Sequence, residues 1–91
     1  MIEIIWDEKF KRTFKKWAKK HPDLIDEFKY KLELFCDDPF DPSLKTHSLR
    51  GELSGLFSSR ITYQYRLVFT FKDSFRKQAI LVNIGTHEEV Y

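Results

Sequence analysis

Two changes of hydrophobic period divide the chain and leave few ways to fold it. Ile2, Ile4 and Trp6 alternate with Glu3 and Ile5, the two-residue period of a strand with a buried face. From Glu8 the period lengthens: Phe10, Phe14, Trp17 and Ala18 fall on one helical stripe among lysines, and Asp7 stands where an N-cap belongs. His21-Pro22-Asp23 ends this helix near Lys20 and starts another, because proline lacks the amide hydrogen a helix interior needs but fits a first turn. Ile25, Phe28, Leu32 and Phe35 form the second apolar stripe. Cys36 to Lys45 carries Asp-Pro-Phe-Asp-Pro, a turn-rich extended connection. Strand-like runs then return around His47 to Leu49, at Leu56 to Thr62, at Arg66 to Phe71 and at Ala79 to Ile84.

The order β-α-α followed by three or four strands predicts an α+β domain, with a largely antiparallel sheet and a two-helix hairpin packed on one face. The other face is then partly solvated or covered by a partner. With 91 residues there is material for one core, so the domain spans 1–91. Nine phenylalanines supply large rings that bury much area per residue. The single cysteine, Cys36, excludes an internal disulfide and reads as a small packing residue. No apolar run is long enough for a membrane helix, and the first residues lack the pattern of a signal peptide, so a cytoplasmic protein without a membrane partner is expected.

Strand parity decides which polar residues meet. In Arg66 to Phe71, Leu67, Phe69 and Phe71 share the inward face and leave Arg66 outside. If Phe57 and Ile61 also point inward, Arg60 projects beside Arg66 from the open face. That requires an odd hairpin loop or a bulge, since a tight turn at Tyr63-Gln64 would set Ile61 opposite Arg66. The odd loop is expected.

His47, Arg50, Arg60, Arg66 and His87 are the concentrated chemistry of the chain. Arginine holds phosphate oxygens through forked hydrogen bonds, and histidine moves protons near neutrality. RNA supplies its own nucleophile in the 2′-hydroxyl, so such a set suits cleavage of a phosphodiester by acid–base chemistry. The sequence has no Cys/His cluster for zinc, no Asp-rich pocket and no glycine-rich phosphate loop, and neither cofactor nor metal is expected. Tyr63, Tyr65 and Tyr91 suit stacking on bases, although hairpin packing accounts equally for the first two. His21 belongs to the helix turn. Net charge is only +2, yet Lys9, Lys11, Arg12, Lys15, Lys16, Lys19 and Lys20 run without an intervening acid. That run fits a solvated helix face and fits a polyanion-binding surface.

SLRGELSGLFSSRITYQYRLVF, followed by VNIGTHEEVY, resembles the RelE/ParE toxin superfamily of bacterial toxin–antitoxin systems, and within it the YoeB/YafQ-like messenger RNA endonucleases. The resemblance spans nearly the whole chain and implies cleavage of mRNA in the ribosomal A site by 2′-hydroxyl attack. It implies His47 as general base, His87 as general acid, and Arg60 with Arg66 as phosphate and transition-state ligands. Arg50 matches a basic position and Tyr91 the terminal aromatic of these toxins. It further implies that Lys9, Arg12, Lys16 and Lys19 contact ribosomal RNA, and that a cognate antitoxin wraps the protein. One departure is that Arg60 and Gln64 stand where YafQ-like toxins have a second histidine and an aspartate, so the site is a hybrid of two patterns. A ParE-like gyrase-binding toxin and a non-catalytic RNA- or ribosome-binding relative are the alternatives. The pair His47 and His87 weighs against the first, because a pure binder needs no acid–base pair.

Overall fold

In a computed structural model describing residues 1–91, Asp7 separates the first two elements as the sequence predicts. β1 (Glu3–Trp6) ends beside it, and its carboxylate accepts the backbone N–H of Phe10 at 2.7 Å, capping α1 (Glu8–Lys20). Pro22 opens a 3₁₀ turn, Pro22–Leu24, so α2 (Ile25–Asp37) begins three residues later than the proline alone suggests. Past the proline-rich passage come β2 (His47–Ser48), β3 (Phe57–Arg60), β4 (Tyr65–Phe71) and β5 (Gln78–Thr86), then a single helical turn, α3 (His87–Val90).

The sheet order is β1-β5-β4-β3-β2, with β1 parallel to β5 and every other pair antiparallel. The two helices form the crossover that lets the first strand lie along the last. Their stripes meet the inward face of the sheet: Phe10, Phe28, Phe35, Leu67, Phe69 and Leu81 are all at most 2% exposed. Phe35 meets Phe69 edge-on at 4.6 Å, and Phe14 packs against Phe28 at the same separation, so ring contacts run from helix to helix and down to the sheet.

Two features of β5 depart from the sequence reading, and both position the open face. The strand runs longer than Ala79 to Ile84, and it carries a bulge: Val68 pairs with Asn83 but Phe69 with Leu81, leaving Val82 without a partner. Leu81 and Ile84, at an odd spacing, are therefore both buried. The same slip sends Gly85, the partner of Arg66, to the face opposite the helices. There α3, which lies beyond the last strand-like run of the sequence reading and is assigned no element by it, folds back over β4 and β5 with Val90 buried.

Truncating the centre of the core and removing a surface cap should differ in cost. Phe69→Ala is expected to destabilise by about 3–5 kcal/mol and Asp7→Ala by about 1 kcal/mol, read as midpoint shifts in urea unfolding. Equal losses would mean that the ring core does not dominate stability.

Candidate active site

The β3–β4 hairpin sets the two arginines. Ile61 is buried and its N–H donates to the Tyr65 carbonyl at 3.0 Å, leaving Thr62 to Gln64 as the odd loop that parity requires. The Thr62 hydroxyl accepts the backbone N–H groups of Gln64 and Tyr65, which holds the turn. Arg60 and Arg66 are consequently direct cross-strand partners on the open face. Arg66 Nη1 donates to the carbonyls of Thr62 at 3.0 Å and Tyr63 at 2.9 Å, so this guanidinium is fastened to the loop it closes. The Arg60 guanidinium lies 5.8 Å from the centre of the Tyr63 ring, and its Nε is buried with no protein partner. Neither arginine is in an ion pair, since the ion pairs of the chain are Lys11–Glu8 and Lys31–Glu27. Lys31, to which the sequence draws no attention, also donates to the Ile61 carbonyl at 2.9 Å and ties α2 to the base of the hairpin.

Gly85, Thr86 and Glu89 deliver His87. A Cβ on Gly85 would stand 3.1 Å from Glu89 Cβ and 3.3 Å from Val90 Cγ1, so a side chain there would push α3 off the sheet by a few tenths of an ångström. Thr86 caps the turn: its hydroxyl accepts the Glu89 N–H at 3.3 Å, and the Glu89 carboxylate accepts the Thr86 N–H at 2.9 Å. The Thr86 backbone N–H, then its side chain, hold the Glu89 carboxyl below the usual range, with Lys20 and His21 adding to the effect. A depressed carboxyl pKa means that the cap is fully present above the ordinary carboxylate value and is lost as pH falls through the lowered one. The result is an open cleft of about 480 Å³ whose walls include Arg60, Tyr63, Gln64, Arg66, His87 and Glu88.

His47 stands outside this cleft. Its strand partner is Ser58, which places it on the same open face, and it is exposed. His47 Nδ1 is 3.2 Å from the Lys45 carbonyl, which can only accept, so the contact fixes the proton on Nδ1 and leaves Nε2 as the basic nitrogen. Nε2 is 3.4 Å from the Tyr91 hydroxyl, and the Tyr91 ring meets His87 edge-on at 4.2 Å. Tyr91 thus stands between the two histidines. Arg50 is exposed, lies beyond the opposite end of the β2–β3 ladder and does not line the cleft. Lys9, Arg12, Lys16 and Lys19 are exposed on α1, and the last three border a shallow groove with Lys15.

Of the tyrosines suited by type to stack on bases, Tyr63 is 84% exposed at the cleft rim, whereas Tyr65 is committed to the helix side. The Tyr65 ring packs edge-on against Trp17 at 5.6 Å and its hydroxyl lies 3.0 Å from His21 Nε2. Cys36 packs against the core as expected; burial, then Asp37 and Glu33, push its thiol up, the reverse of an activated nucleophile. No three His, Cys, Asp or Glu side chains gather closely enough to hold a metal ion. The contribution of α3 was visible in principle, because Thr86-His87-Glu88-Glu89 is a capping-box pattern and Gly85 precedes it.

The fold coincides with that of known toxins. The family model described as bacterial toxin of type II toxin-antitoxin system, YafQ, matches residues 2–91. No curated protein matches the sequence. The toxin in the Escherichia coli DinJ–YafQ complex superposes with a TM-score of 0.77 at 20% identity, covering 100% of this chain and 99% of that one. A metal-bound toxin from Helicobacter pylori gives 0.73 at 26% identity with both chains fully covered. A chain of the Staphylococcus aureus YoeB–YefM complex gives 0.72 at 18% identity, covering 96% of this chain and 98% of that one. The chain therefore belongs to the YafQ family of type II toxins, within the RelE/ParE superfamily.

Proposed function

We propose that this toxin is a ribosome-dependent endoribonuclease that cuts mRNA in the ribosomal A site by 2′-hydroxyl attack. The observation that carries the reading is the pairing of two arginines, neither in an ion pair, across β3–β4, with His87 brought over the same cleft by α3. Arg60 and Arg66 hold the scissile phosphate and offset the charge that builds on the phosphorane. His47 Nε2 takes the 2′-hydroxyl proton. The 2′-oxygen then forms its bond to phosphorus as the bond to the 5′-oxygen breaks, and His87 gives that oxygen a proton. The products are a 2′,3′-cyclic phosphate and a 5′-hydroxyl.

Tyr91 occupies the space between base and acid, where an RNA strand would lie, so its ring is suited to stack on a base once the strand enters. Lys9, Arg12, Lys16 and Lys19 face outward from the catalytic cleft and suit ribosomal RNA phosphates; Arg50 suits a peripheral one. Relatives are seen with DinJ and YefM, which supports a cognate antitoxin that neutralises this chain in the cytoplasm.

His87→Ala and His47→Ala should each lower cleavage of ribosome-bound mRNA by about 10²–10⁴-fold, with unfolding midpoints unchanged; full activity in both would remove the acid–base assignment. Gly85→Ala should lift α3 and reduce kcat while leaving ribosome affinity intact, and an unaltered kcat would detach α3 from catalysis. Replacing Lys9, Arg12, Lys16 and Lys19 with Gln should flatten the salt dependence of ribosome binding, by about 0.7 to 0.9 in log–log slope for each phosphate no longer neutralised. An unchanged slope would assign the helix to solvent.

A further inference from the structure

Behind the arginine cleft lies a smaller one, of about 190 Å³, between the end of α1, the α1–α2 turn and α3. Lys16, Trp17, Lys20, His21, Tyr65 and Glu89 are among its walls. We propose that this cleft is a phosphate subsite that holds a neighbouring phosphodiester of the same RNA strand, an inference that rests on the endoribonuclease reading. Trp17 is 6% exposed, and its indole N–H is buried without any acceptor in the protein. Trp17 also lines the cleft, so its indole N–H resonance senses a charge seated there. Lys20 is in no ion pair, so its ammonium group stands free to meet the ligand. His21 Nε2 is engaged by the Tyr65 hydroxyl, which leaves the other ring nitrogen without a protein partner.

One charge opposes an anion here, the Glu89 carboxylate. It already accepts the Thr86 N–H, and the Thr86 backbone and side chain are the main reason its pKa is lowered, with Lys20 and His21 adding to the effect, so its charge is met largely within the α3 cap.

The connection to the catalytic cleft is built into consecutive residues. Tyr65 lines the small cleft and Arg66 the large one; Gly85 and Thr86 divide in the same way, as do Glu89 and Glu88. Neighbouring Cα atoms are about 3.8 Å apart, so the two clefts lie back to back across the ends of β4 and β5. A strand crossing this rim would place successive phosphates in the two sites.

The test uses the intact protein with indole ¹⁵N labels, inorganic phosphate as the probe and chloride at matched ionic strength as the control. The Trp17 Nε1–H resonance, assigned by its loss in Trp17→Phe, should shift saturably with phosphate and not with chloride. Lys20→Gln should abolish that shift and raise KM for ribosome-bound mRNA about tenfold, with kcat retained. A Trp17 signal that ignores phosphate while wild type still cuts RNA would overturn the subsite and leave the endoribonuclease reading standing. A Trp17 signal that responds, in a protein that never cuts RNA, would overturn that reading and leave the phosphate site. Lys20→Gln that weakens antitoxin binding yet leaves KM alone would assign the cleft to an acidic protein segment and overturn the proposal.

Discussion

Arg60 and Arg66 face each other directly across β3 and β4, a placement that sheets ordinarily avoid because like charges in cross-strand pairs repel. The structure tolerates it by binding one of the two to backbone. Arg66 donates to the carbonyls of the loop that joins the strands, while Arg60 leans toward Tyr63 and keeps an unmet Nε. The hairpin therefore presents one fastened guanidinium and one whose donor is unspent. Everything else near the cleft serves that pair: Lys31 pins the Ile61 carbonyl from the helix layer, and Ile61 is buried and so fixes the register.

The fold beneath was largely legible. Phe10, Phe14, Trp17, Phe28 and Phe35 announce their stripes by spacing alone, and all sit in or against the core. Arg60 and Arg66 share a face as strand parity requires, because Leu67 and Phe69 can face only inward. The Val82 bulge was not legible, since a bulge depends on which residue of the neighbouring strand lies opposite, and a single strand's sequence does not contain that. For the same reason the parallel pairing of β1 with β5 could not be read from either segment.

The site was legible in residue type more than in placement. His87, Arg60 and Arg66 share a cleft, but His47 meets them only through Tyr91, and Arg50 lies apart. α3 was hidden because four residues are too few for a hydrophobic period, even though the Thr86 to Glu89 box was in plain view. Trp17 reads as a packing residue, His21 as part of the helix turn and Tyr65 equally as packing or base-stacking; only the structure shows that the three meet around the smaller cleft.

The central claim is that the RNA's own 2′-oxygen is the nucleophile, guided by arginine and histidine. A ribosome-bound mRNA carrying one 2′-deoxynucleotide on the 5′ side of the scissile bond tests it most directly, beside the all-ribose message. The expected result is cleavage of the ribose message to a 2′,3′-cyclic phosphate and a 5′-hydroxyl, and no cut at the deoxy position. Equal cleavage of both messages, or products ending in a 5′-phosphate, would contradict it.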